Sequence, residues 1–258
     1  MSINKSEQKQ YFQNEPSRVG KLFLRTLRII KPGISNDAIR TAAYFRSLDN
    51  IVDGVMEPSQ SKEIISQEKE SVHGIGQAKK NTTERSEVIY DMATKYGLVI
   101  AEYSQRLLTN FETDSNLRAT HEPLTEEELL QHRVNGSLPV LQFLSTTVYN
   151  KELQFGNKMS NYLFTWMTYD HIKDMREDLA VNLNHISRED CHLFGFVGEP
   201  SQFPQNQVGH YIDYKREKVL QTIHEDAKGM KDTNLPAHIA LAARAYLSSR
   251  VAELKKIK

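Results

Sequence analysis

Apolar residues recur at helical spacing along almost the whole of this chain, and nowhere do they settle into the every-second-residue alternation of a half-buried strand. A chain patterned in this way buries its stripes by packing helix on helix, so the sequence predicts an all-α protein. "VGKLFLRTLRII" carries the period up to Pro32 and Gly33, where a helix has to stop. Ser35 or Asn36 is placed to cap the next helix, whose apolar face runs through Ile39, Ala42, Ala43, Phe45 and Leu48. The polar stretch from Pro58 to about Asn81 reads as a short helix and a mobile loop. "TERSEVIYDMATKYGLVIAEYSQRLLTNFE" holds one long helical period, and "PLTEEELLQHRVNGSLPVLQFL" opens on a capping-box pattern at Thr125 and Glu128. Gly136 and Pro139 inside that second pattern predict a kink or a break. Another helix follows in "NKMSNYLFTWMTYDHIKDMREDLAVNL". Beyond an irregular stretch near Gly195 to Gln207, "VGHYIDYKREKVLQTIHEDAKGM" and "LPAHIALAARAYLSSRVAELKKIK" supply two more, the latter with Pro236 in its first turn.

No composition break, low-complexity tract or solenoid-spaced repeat divides the chain. We therefore expect a loose tail over residues 1–17 and a single domain over residues 18–258. The 33 Lys and Arg balance the 33 Asp and Glu, so no global field recruits nucleic acid or an acidic membrane, and charge chemistry has to be local. One cysteine, Cys191, excludes an internal disulfide framework and is expected to serve as a small buried hydrophobe. The N-terminus lacks the apolar segment of a signal peptide, and no apolar run approaches the roughly 20 residues of a spanning helix. The expected location is the cytoplasm, with peripheral docking on a membrane left open.

Two carboxylate stripes stand out. "YFRSLDNIVDG" sets Asp49 and Asp53 four apart on a helix, and "YDHIKDMREDL" sets Asp170, Asp174 and Asp178 four and four apart, a ladder roughly 12 Å long at about 1.5 Å per residue. Like charges four apart repel by a few tenths of a kcal/mol, so such a ladder costs stability unless a cation sits on it. Lys173 and Arg176 offer the plainer account, an ordinary salt-bridged face. Oxygen ligands without Cys or clustered His point to a hard ion, Mg2+ above Ca2+ with Mn2+ as a substitute, shared with substrate phosphates. His132, His171 and His192 are too scattered to suggest a metal site and read as satisfied core or surface residues. The basic end "LKKIK" reads as a solvated last turn that complements the helix dipole.

With both stripes in view, the chain resembles the squalene/phytoene synthase family of head-to-head isoprenyl diphosphate synthases. "YFRSLDNIVDG" is similar to the family's R-x-x-D-D-x-x-D element, with Arg46, Asp49 and Asp53 in matching places and Asn50 in place of the second Asp. "DHIKDMREDL" resembles N-x-x-R-D-x-x-E-D: Asp174, Glu177 and Asp178 match, Asp170 stands for the Asn and Lys173 for the Arg. "LTEEELLQHRVNGSLP", "ISREDCHLFG" and "ALAARAYLSSRVAEL" are similar to three further family elements in the same order, so the resemblance covers about residues 20–254. Pro139 replaces a family Gly, Met167 replaces a Gln, and the family's Ser-Phe element has no counterpart in "GKLFLRTLRIIKP".

The resemblance implies an isoprenoid synthase fold, with helices around a central apolar cavity whose mouth carries the aspartates of both stripes. It implies a Mg2+-dependent prenyltransferase of terpenoid or carotenoid biosynthesis that condenses two allylic prenyl diphosphates, farnesyl or geranylgeranyl, and releases diphosphate. Asp49, Asp53, Asp170, Asp174 and Asp178 are the implied metal ligands, and Tyr246 joins Asp49, Asp53, Asp174 and Asp178 in the implied catalytic set. Arg46, Lys173, Asn50, Tyr44, Phe45, Val134, Gly136 and Met167 are the implied substrate contacts. Phe164, Trp166 and Tyr169 are further aromatic candidates for the cavity wall. NADPH is not expected to be required, since the first motif is nearer the phytoene type. Two alternatives remain open: a terpene cyclase acting on one prenyl diphosphate, and a non-catalytic member serving as an assembly or binding protein.

Overall fold

The computed structural model describes residues 32–76, 83–149 and 157–229, and among the described residues there is helix, turn and loop but no strand. The all-α expectation therefore holds for them. The tail over residues 1–17, the helix ahead of Pro32 and the terminal helix carrying Tyr246 lie outside the described residues. Helix α1 (Pro32–Asn50) passes directly into a π-helical turn (Ile51–Val55) and is followed by α2 (Pro58–His73), α3 (Glu87–Tyr96), α4 (Val99–Thr120) and α5 (Glu126–Tyr149). Helix α6 (Asn157–Ala180), the short α7 (Arg188–Phe194), a 3-10 turn (Pro200–Gln202) and α8 (Gln205–Gly229) complete the described order. None of these helices is long and apolar enough to cross a membrane.

The chain groups into two compact units: Met1–Ser115 with Pro139–Glu152, and Asn116–Leu138 with Leu153–Lys258. The first unit has an apolar core to which every one of its described helices contributes. Tyr44 and Leu48 come from α1, Ile51 and Val52 from the π turn, Ile65 and Val72 from α2, Ile89 and Met92 from α3, Ile100, Leu108 and Phe111 from α4, and Phe143 from α5. Each large apolar side chain buried in this way stabilises the fold by about 1.5–3 kcal/mol. Helix α1 already includes Ser35 and Asn36, so neither caps it.

The single helix expected from Thr83 to Glu112 is two helices. Gly97 stands between α3 and α4 at φ 103° and ψ 157°, a conformation open essentially only to glycine. Its N–H closes α3 on the Ala93 carbonyl at 2.9 Å, and its carbonyl accepts from Ile100 N–H at 3.1 Å to start α4. The apolar period hides this break because both helices bury their stripes in one core.

In the second unit, α5 begins as its sequence predicts. Thr125 N–H donates to Glu128 at 2.8 Å while Glu128 N–H donates to the Thr125 hydroxyl at 3.2 Å, the reciprocal pair of a capping box. These bonds favour the ionised Glu128 and hold its carboxyl below the ordinary value. Helical backbone continues through Gly136 and Pro139, so of the kink or break expected there the break does not occur. Ser187 caps α7 by accepting from Asp190 N–H at 3.2 Å, and Gly195 ends it in the left-handed region at φ 68°. The two ends aim Phe194 and Phe196 at Tyr211 of α8, with ring centroids 5.2 and 6.0 Å away, and Phe196 stacks on Phe203 at 4.7 Å. Cys191 is buried, and burial raises its thiol, as expected of a packing residue.

Candidate functional site

Helix α6 has a buried face carrying His171, Ile172, Met175 and Leu179, and an exposed face carrying Lys173, Arg176 and Glu177. Asp170, Asp174 and Asp178 are all half-buried and follow the line where those faces meet. Lys173 Nζ lies 3.0 Å from Asp174 Oδ1, with both side chains roughly half exposed, a surface pair worth at most about 1 kcal/mol. Arg176 turns away from the acids and donates to the Gln205 side chain at 2.7 Å.

Asp178 is held differently. Its Oδ2 lies 3.4 Å from Nδ1 of His185, a residue 8% exposed at its side chain. After α6 the backbone turns at Asn182, φ 63°, and Leu183 N–H closes on the Asp178 carbonyl at 2.9 Å. The buried segment 183–187 that follows carries the His185 ring back to α6. There it stacks on His171 with centroids 4.1 Å apart and planes 5° from parallel, while His132 of α5 lies 5.5 Å from it.

Arg133 of α5 ties these pieces together from inside the unit. Although only 3% exposed, it donates through Nε to His171 Nδ1 at 3.0 Å, through Nη1 to the Thr168 hydroxyl at 3.0 Å and through Nη2 to the His185 carbonyl at 3.4 Å. An N–H aimed at Nδ1 requires that nitrogen to be an acceptor, so the His171 proton sits on Nε2 and the ring is neutral. Burial, then the neighbouring His185 and Arg133, hold the His171 pKa well below the ordinary imidazole value. Burial also pushes the Arg133 guanidinium down to about 10, which leaves it charged at neutral pH. Elsewhere in the unit the buried Asp190 accepts from Tyr211 at 3.2 Å and pairs with Lys215 at 2.5 Å. Asp114, at the first unit's end of α4, is buried as well.

The first stripe spans a change of helix type. Asp49 is in the last turn of α1, and Asp53 is in the π turn, a feature frequent at functional sites. Asp49 pairs with Arg46, whose side chain is 56% exposed; Asn50 and Asp53 are exposed. Tyr44 is fully buried and donates to Glu68 Oε2 at 3.1 Å, and Phe45 meets it edge-on at 4.9 Å from a half-buried position. Glu68 Oε1 accepts from the Thr83 hydroxyl at 2.8 Å, and the Ser71 hydroxyl accepts from Thr83 N–H at 2.9 Å. Burial raises the Glu68 carboxyl, against the lowering effect of both hydroxyl donors.

Val134, Gly136 and Met167 are half-buried and Tyr169 is buried. The side chains of Phe164 and Trp166, like Tyr246, lie outside the described residues. Side-chain pairings bring together Arg46 with Asp49, Lys173 with Asp174 and Asp178 with His185. Sequence reasoning missed His185 and Arg133. Their available signals were a charged residue amid the apolar positions of α5 and a histidine just past the helix that carries the acids. No family model matches the chain, and no curated protein matches it.

Asp49 lies in the last turn of α1 and Asp178 in the last turn of α6, and neither turn holds a basic residue. At the end of α6 the helix carbonyls set an unfavourable field of about 0.3–1 kcal/mol on Asp178. Asp170 and Asp174 stand further back, where that field has faded, and α1 runs on into the π turn. An oxygen-only donor set on half-buried and exposed positions fits a hard divalent cation that keeps several of its waters.

Proposed function

We propose that the chain is a Mg2+-dependent prenyltransferase that joins two allylic prenyl diphosphates head to head, in an isoprenoid synthase fold. What supports this most is the spacing of the carboxylates, with Asp170, Asp174 and Asp178 four and four apart along one line of α6 and Asp49 and Asp53 four apart where α1 meets the π turn. Like charges at that spacing repel, and a bound cation relieves them. Asp49 of α1 and Asp53 of the π turn, and Asp170, Asp174 and Asp178 of α6, would hold the ions. Bound there, Mg2+ supplies neutralisation of the charge that develops on a departing diphosphate.

The chain's own residues then bind and orient. Arg46 and Lys173, both exposed beside an acid, exchange that surface partner for phosphate oxygens. Asn50 offers a further polar contact. Phe45, half-buried against Tyr44, has a ring face suited to an allylic cation, and the Tyr44 to Glu68 bond fixes it from behind. The motif pattern shared with the squalene/phytoene synthase family supports the same reading.

The purified chain with geranylgeranyl or farnesyl diphosphate and Mg2+ is expected to release diphosphate and yield a hydrocarbon of doubled carbon number. An unchanged carbon skeleton would instead make it a terpene cyclase, and neither product nor diphosphate would overturn catalysis. Asp49→Ala and Asp174→Ala are each expected to lower turnover by orders of magnitude with the fold retained. The pairing of Arg46 with Asp49 and of Lys173 with Asp174 favours a second reading, in which the acids are neutralised from within the chain and the protein binds or assembles without catalysis. Calorimetry showing no Mg2+-dependent uptake of inorganic diphosphate would select that reading.

A further inference from the structure

The three acids of α6 are not equivalent. Asp174 turns to a solvated lysine on its own helix, a partner easily lost, whereas Asp178 meets a buried ring that is stacked on a neighbour and carried by a hydrogen-bonded backbone. His185 is stacked on His171, its carbonyl is bonded by Arg133, and its backbone is pinned where Ile186 N–H donates to the Asn184 side chain at 3.0 Å. We propose that His185 is a positioning residue of the second stripe, donating from Nδ1 to Asp178 Oδ2 so that Oδ1 is presented to the ion; the inference rests on the reading of this stripe as a Mg2+-diphosphate site.

The chemistry supports that division of labour. A carboxylate only accepts, so the contact requires the His185 proton on Nδ1. Arg133 fixes the opposite tautomer on the adjacent His171, with its proton on Nε2. A carboxylate held through one oxygen loses less side-chain entropy when the other takes up a metal, and such outer partners typically change metal affinity by about 10–100-fold when removed. Arg133 extends the support without touching the stripe, since it orients the His171 ring on which His185 stacks and holds the His185 backbone through its carbonyl. Asp178 is thereby the preorganised anchor of the ladder.

The test is calorimetric titration of the full chain with inorganic diphosphate at fixed Mg2+. His185→Phe keeps a ring to stack on His171 but has no donor, and is expected to weaken uptake about ten-fold or more. His185→Asn places an amide N–H near the lost Nδ1 and is expected to restore most of it. Adding His185→Phe to Asp178→Asn is expected to cost nothing beyond Asp178→Asn alone. In the wild-type chain, which needs no variant to fold, the His185 Nδ1 resonance is expected to shift when Mg2+ and diphosphate are added together. Wild-type binding by His185→Phe, with Asp178→Asn weakened, would overturn this inference and leave the proposed function standing; so would an unmoved His185 resonance. Failure of the wild-type chain to bind Mg2+ and diphosphate would end both.

Discussion

Each unit has a charged residue buried at a hydrogen-bonded hub, and the two hubs are opposite in sign. In the first unit Glu68 accepts from Tyr44 and Thr83, and short hydroxyl side chains complete the network. In the second, Arg133 donates to His171, Thr168 and the His185 carbonyl. Both hubs perform the same mechanical task, tying a loop segment to the helix that carries an acid stripe. They differ in how replaceable they are. A carboxylate that only accepts two bonds can be replaced by an amide or a carboxylic acid, whereas a planar fork donating in three directions has no neutral substitute. Sign also decides what stands behind each stripe: Arg133 reaches Asp178 through His185, while Asp49 depends on an exposed Arg46.

The comparison fails first if Arg133 proves dispensable. Arg133→Met is expected to lose about 3 kcal/mol in a urea melt, because three buried acceptors lose their donor together. Stability within about 1 kcal/mol of wild type would remove the distinction between the hubs. Next in size is Gly97→Ala in the first unit. Nothing lies within 4 Å of the added methyl, so the expected loss of about 2 kcal/mol comes from backbone strain alone. A melt unchanged by this substitution would refute the assigned φ.

Thr125→Ala in the second unit should cost about 1 kcal/mol by removing the capping-box hydroxyl, measured in the same way. The smallest effect concerns Glu68. Its carboxyl is raised on folding, so the folded state holds the proton more tightly than the unfolded chain does. Its contribution to stability is therefore greatest below the unfolded pKa and falls as pH rises through the folded one. Glu68→Gln, an analogue of the protonated carboxyl, is expected to flatten that part of the stability-versus-pH curve, so that the two chains match at low pH and separate as pH rises through the folded pKa. A curve for Glu68→Gln that falls as steeply as the wild-type curve would show that Glu68 is not the group responsible.

Legibility followed the range of the interactions. The Thr125 and Glu128 box and the helical patterns over residues 126–149 and 157–180 were readable because each depends on neighbours within about one turn. The break at Gly97 was not, since apolar periodicity passes through it undisturbed and only the glycine marked it. Asn36 offered a plausible cap that the chain does not use. The acid stripes were visible as spacing, but the π turn that separates Asp49 from Asp53 has no period of its own.

What the sequence determined by itself is the all-α class of the described residues, the capping-box start of α5 and the four-residue spacing of Asp170, Asp174 and Asp178 along α6, because hydrogen bonding and side-chain direction along a helix are local. Only tertiary structure decided which aspartate is held and by what. His185 lies seven residues beyond Asp178 and Arg133 lies 45 before it, so their meeting depends on how helices α5 and α6 and the segment after α6 pack within one unit. Burial then selects the protonation state of His171, because desolvation beside a guanidinium is a property of packing that no spacing of residues encodes.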